Sequence, residues 1–130
     1  MAVTPQPKKS SPESIDFSHP QETREFPNGK VQLVTLNGVT FGMGTFQPGW
    51  RWSAHVKPIA GTETCQAAHL GVQVSGTMHV RMDDGTEHDI RAGQVANIPP
   101  GHDAWVVGNE PVVFIDITGM ENYAKQTRAA

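Results

Sequence analysis

Apolar and polar positions alternate with period two along most of the chain, in short runs broken by turn residues. Val31-Gln-Leu-Val-Thr-Leu36 reads as a strand and Val39-Thr-Phe-Gly-Met-Gly-Thr-Phe46 as its return. Asn37-Gly38 between them is the strongest short hairpin signal. Trp50-Arg-Trp-Ser-Ala-His-Val56 alternates in the same way. As a strand it would place Trp50, Trp52, Ala54 and Val56 on one face, and Arg51, Ser53, His55 and Lys57 on the other. From Cys65 to Ser75 the pattern puts Cys65, Ala67, His69, Gly71, Gln73 and Ser75 on one face and Leu70, Val72 and Val74 opposite. Further strands are expected at Met78–Met82, Glu87–Ile90, Val95–Ile98, Ala104–Val107 and Val112–Ile117, with a hairpin at Asp84-Gly85. A short terminal helix is expected from Met120 to about Arg128. Ile15 to Phe26 is irregular and suits an edge strand. Residues 1–14, with three prolines and paired lysines, read as a disordered tail ahead of one domain spanning 15–130. About eight to ten short strands, evenly spaced and without βαβ alternation, indicate an all-β antiparallel sandwich or barrel.

Composition narrows the function classes. A chain of 130 residues is one domain by length. Its 13 glycines and 10 prolines suit a turn-rich β fold. The net charge of −3 comes with no basic stripe, which argues against nucleic acid as a partner. No apolar run reaches the roughly 18 residues of a membrane helix. The first residues lack the apolar segment of a secretory signal. The single cysteine, Cys65, cannot form an internal disulfide, which fits a cytoplasmic location.

Ile98-Pro-Pro-Gly-His-Asp-Ala-Trp105 carries candidate chemistry. Pro99 and Pro100 fix φ and remove two donors, and Gly101 permits positive φ, so the turn places His102 rigidly. His55 and His69 lie on strand faces with polar or small neighbours, and Cys65 precedes His69 on its face. Three imidazoles suit Fe, Mn, Zn, Cu or Ni, with Cys65 as a soft fourth ligand. Each has a structural alternative: an exposed strand histidine at His55, a core histidine at His69, a turn cap at His102 and a small buried hydrophobe at Cys65. Asp103 is a candidate to orient an imidazole, and Trp105 a core residue. His19, His79 and His88 read as surface positions.

The chain resembles the cupin superfamily. Gly49, five residues, His55-Val-Lys57, and later His69 with six residues before Gly76, resemble the first cupin motif. Gly93, five residues, then Pro99-Pro-Gly101 resemble the second. The resemblance covers roughly residues 35–118. It implies a cupin-type antiparallel β-barrel (jelly roll), often a homodimer, with a divalent transition metal inside. His55 matches the first motif histidine. Lys57 stands at the second, His69 at the glutamate position and Ala104 at the usual second-motif histidine, with His102 two residues earlier. The expected metal set is therefore His55, His69, His102 and Cys65. Arg51, Lys57 and Gln73 are expected to bind a small, carboxylate-like ligand. Two functions follow from the resemblance: a metal-dependent enzyme with oxygenase-like or lyase/isomerase chemistry, or a non-catalytic binding or sensing module with a degenerate metal site.

Overall fold

The computed structural model describes residues 11–118 and 123–124. Nine strands dominate: β1 (Glu22–Phe26), β2 (Gly29–Leu36), β3 (Val39–Phe46), β4 (His69–Ser75), β5 (Thr77–Met82), β6 (Glu87–Arg91), β7 (Val95–Ile98), β8 (His102–Val107) and β9 (Val112–Asp116). They form two antiparallel sheets. The larger has the order β1-β2-β3-β9-β4-β7 and the smaller β6-β5-β8. The two sheets pack face to face as a sandwich, and the expected closed barrel does not form among the described residues. The reason lies between β6 and β7. The turn at Arg91–Gln94 carries the chain from one sheet to the other, and the Gln94 carbonyl accepts from Gln73 N–H on β4. Consecutive strands thus become edges of different sheets.

Local chemistry explains most elements. At the β2–β3 hairpin Asn37 and Gly38 both take positive φ, 51° and 76°, which matches the twist of the flanking strands. The register follows directly, with Leu36 opposite Val39 and Val31 opposite Gly44. The core lies between the sheets and includes Val31, Leu33, Phe46, Trp52, Val80 and Val112.

The segment after Trp50 is not the expected strand. Arg51 bridges to Trp105, and two short helical turns follow, α1 (Trp52–His55) and α2 (Lys57–Ala60). Trp52 and Val56 are spaced i, i+4, so their burial is as helical as it is strand-like. Asp103 on β8 decides between the two. Its carboxylate accepts from Ser53 N–H (3.0 Å) and from the Ser53 hydroxyl (2.9 Å), capping the first turn from a distant strand. Asp103 is therefore engaged with α1, not with an imidazole. Trp105 is also not a core residue. It is half-buried on the outer face of the small sheet, against His79 (4.6 Å between centroids) and beneath the Arg51 guanidinium (4.1 Å). Most of the expected C-terminal helix and of the N-terminal tail lies outside the described residues.

Candidate metal centre

Three strand-linked segments converge inside the sandwich. Cys65 and His102 are backbone partners: Cys65 N–H donates to the His102 carbonyl (2.8 Å) and Gly101 N–H to the Cys65 carbonyl (2.7 Å). Gly101 sits at φ 89°, where a side chain would be strained, so the Pro-Pro-Gly turn closes onto Cys65. His69 begins β4, opposite Ile98 on β7. The inward periodicity of β8 covers His102, Ala104 and Val106. A histidine two residues before Ala104 thus still points into the core.

The result is a buried cluster of Cys65, His69 and His102 whose potential ligand atoms all lie within 4.8 Å of one another. Both imidazoles are anchored through Nδ1. His69 Nδ1 is 2.5 Å from Asp116 Oδ2, and His102 Nδ1 donates to the Pro99 carbonyl at 2.7 Å. Anchoring Nδ1 leaves Nε2 as the free nitrogen, and a carboxylate behind a ligating histidine fixes its tautomer and raises its basicity. The Cys65 Sγ to His69 Nε2 separation is 3.8 Å. Two tetrahedral zinc donors, one sulfur and one nitrogen, stand about 3.6 Å apart, so this pair already spans a metal's coordination edge.

Asp116 holds the site from β9. Its carboxylate is fully buried, and its second oxygen accepts from Thr118 N–H (2.7 Å) and Leu70 N–H (3.4 Å). These donors compensate the cost of burying the charge. Burial pushes the His102 pKa down to about 4, with neighbouring His69 adding to the effect, so the ring is neutral and a competent ligand at physiological pH. Burial pushes the Cys65 thiol up to about 11, against a lowering hydrogen bond from the Ala67 backbone. Such a thiol is protonated when alone and ligates a metal only with loss of its proton. This donor set, two imidazoles and a thiol, fits Zn, Fe, Cu, Ni or Mn.

Beside the histidines lies a cavity of about 40 Å³, space for two or three waters. Its walls include Trp50, Trp52, Gln73 and Tyr123. Among the described residues, Trp50 Nε1 is the one buried side-chain nitrogen or oxygen without a hydrogen-bond partner. The Tyr123 ring lies 5.5 Å from His69, and burial raises its phenol well above the ordinary value.

Of the expected ligands the structure brings together Cys65, His69 and His102, but not His55. His55 lies on α1, and its Nδ1 accepts from Arg51 N–H (3.0 Å). The expected ligand-binding cations are also elsewhere: Arg51 pairs with Asp103 (3.3 Å) and Lys57 with Glu63 (2.9 Å). Gln73 does line the cavity, but its amide donates to the Gly76 and Ile90 carbonyls, both at 2.8 Å, and so ties β4 to β6. Sequence reasoning missed Asp116. Its signal was a lone carboxylate in phase with Val112 and Phe114 on an otherwise apolar strand face.

No family model matches the chain, and no curated protein matches it. Solved structures do resemble it. A protein of unknown function from Acidithiobacillus ferrooxidans superposes with TM-score 0.57 at 16% identity, covering 76% of this chain and 88% of that one. A Rhizobium leguminosarum protein of unknown function gives 0.53 at 19% identity, covering 71% and 81%. A cupin-like protein from Thermotoga maritima gives 0.50 at 16% identity, covering 75% and 73%. At these identities the likeness concerns the fold alone, and that fold is cupin-like.

Proposed function

We propose that the protein binds one divalent transition metal through Cys65, His69 and His102 and acts on a small organic molecule at that centre. The observation that carries this reading is the pair of buried imidazoles, each pinned at Nδ1, sharing a cluster with a buried thiol. Asp116 and the Pro99 carbonyl hold the rings in position, and the aromatic wall of Trp50, Trp52 and Tyr123 limits water at the site. A metal there would supply Lewis acidity toward a carbonyl or carboxylate oxygen, or activate a bound ligand. Oxygenase-like and lyase or isomerase reactions both fall within that chemistry. With Arg51 and Lys57 engaged by acidic partners, the centre has no built-in preference for an anion. A cytoplasmic homodimer is part of the same proposal. Reduced Cys65 suits the location, and the exposed Leu70, Val74 and Ile117 on the outer face of the large sheet suit a second copy.

A second reading is favoured by one observation. The inner cavity is far smaller than an organic substrate, as expected of a non-catalytic binding module whose centre is structural. Titration with Co²⁺ tests the shared premise. Saturation at one equivalent, with a near-ultraviolet thiolate-to-cobalt band that disappears in Cys65→Ser, is the expected result. Absence of any Co²⁺ spectrum in folded protein would remove the metal from both readings.

A further inference from the structure

The open side of the sandwich, where β6 and β7 fail to pair, contains a cleft of about 460 Å³. Small-molecule sites span roughly 300–1,000 Å³, whereas the inner cavity holds only a few waters. Ile90 and Ile98 line both spaces. They are the partition between the cleft and the cavity beside His69 and His102. Ile98 stands directly opposite His69 across the β4–β7 ladder. Pro99, whose carbonyl anchors His102, also lines the cleft. The cleft therefore abuts the candidate centre through two apolar side chains and one backbone group.

The chemistry of the cleft narrows its occupant. Among the described residues, no Asp, Glu, Lys or Arg lines it. The acids of β6 point away from it: Glu87 and Asp89 both bind His79 on the outer face of the small sheet. Val80, Met82 and Ile90 supply an apolar floor, while His88, Gln94 and Asn97 supply hydrogen-bonding groups. The Gln94 carbonyl oxygen Oε1 accepts from Arg91 N–H (2.7 Å), which leaves its amide N–H groups as donors toward a ligand. We propose that this cleft binds an uncharged amphipathic small molecule, its apolar body on Val80, Met82 and Ile90 and one polar group at the His88–Asn97 rim. Ile90 and Ile98 separate it from the inner cavity. Delivery of that molecule to a metal rests on the reading above; binding in the cleft does not.

The test uses N-phenyl-1-naphthylamine, a neutral fluorescent probe of that chemistry, on metal-free full-length protein. Saturable one-to-one binding is expected. His88→Trp, which blocks the exposed rim beside Val80, and Ala96→Trp, which fills the cleft opposite Gly71, should each weaken it at least about tenfold. Val74→Asn on the outer sheet face should leave it unchanged, and circular dichroism confirms that each variant is folded. The anionic 8-anilinonaphthalene-1-sulfonate should bind more weakly than the neutral probe. The proposal is overturned if folded His88→Trp and Ala96→Trp bind the neutral probe like the parent, if Val74→Asn loses as much, or if the anion binds as tightly. Failure of metal binding in the Co²⁺ titration leaves this result untouched, so the two claims fail separately.

Discussion

β2 and β4 belong to the same sheet and bury their inward faces in opposite ways. β2 follows the ordinary rule: Val31 and Leu33 face the core, while Gln32 faces outward and donates to the Phe17 carbonyl. β4 inverts it. His69 and Gln73 face inward at 5% and 1% exposure, while Leu70 and Val74 face outward at 38% and 53%. A buried polar group costs free energy unless it is hydrogen-bonded. β4 meets that cost with Asp116 for His69 and with two backbone carbonyls for Gln73. β4 thus turns a polar face inward with the side chains of His69 and Gln73 both engaged. Its outward apolar face is the surface assigned to a second copy in the proposal above.

The contrast can be broken most severely at Asp116. Asp116→Ala should destabilise the fold by about 3–5 kcal/mol, because it leaves the buried His69 ring and two part-buried N–H groups without their acceptor. Chemical denaturation measures this. The same change should weaken metal binding by roughly 10–100-fold, as loss of a carboxylate behind a ligating histidine does. Gln73→Ala comes next, at about 2–4 kcal/mol, since the Gly76 and Ile90 carbonyls lose their donor and a cavity opens. The matching change on β2, Gln32→Ala, removes a single part-buried bond and should cost about 1 kcal/mol.

Smaller effects sharpen the comparison. Leu70→Ser with Val74→Thr should alter monomer stability by no more than about 0.5 kcal/mol each, while shifting a homodimer toward monomer in sedimentation analysis. Unchanged association would separate the apolar outer face from self-assembly. A pH-dependent effect belongs to the outer face of the small sheet. There, hydrogen bonds that His79 donates to Glu87 and then to Asp89 raise its pKa above 6.5. A raised histidine stabilises the fold fully below its unfolded pKa and ceases to do so as pH rises through the folded value. The parent should therefore lose a contribution below about 1 kcal/mol above neutral pH, and His79→Gln should abolish that slope in urea titrations across pH 6–9.

Much of the sandwich is legible in the sequence because β2, β3 and β5 to β9 alternate cleanly and Asn37-Gly38, Asp84-Gly85 and Pro99-Pro-Gly101 mark their turns. The Trp50–Val56 segment misleads for a definable reason. Burial at Trp50, Trp52 and Val56 satisfies both a period of two and an i, i+4 pair, and the deciding contact comes from Asp103, 50 residues away from Ser53. His55, Arg51 and Lys57 left the candidate site with that segment. Within the centre, Cys65 and His69 were readable as one face, and His102 as the product of a rigid turn. Asp116 was not, because its partner His69 lies 47 positions earlier and meets it only through the β4–β9 pairing. The missing barrel closure was equally hidden, since it depends on which sheet receives β7.

Whether β4's inverted face holds a metal can be measured on the purified protein. Elemental analysis of protein purified without chelator addresses it directly. Near-stoichiometric transition metal is expected in the parent chain, with its loss in folded His69→Ala and His102→Ala and with His55→Ala retaining the parent's content. Folded parent protein that stays metal-free after incubation with Fe, Mn, Zn, Cu and Ni would contradict that expectation.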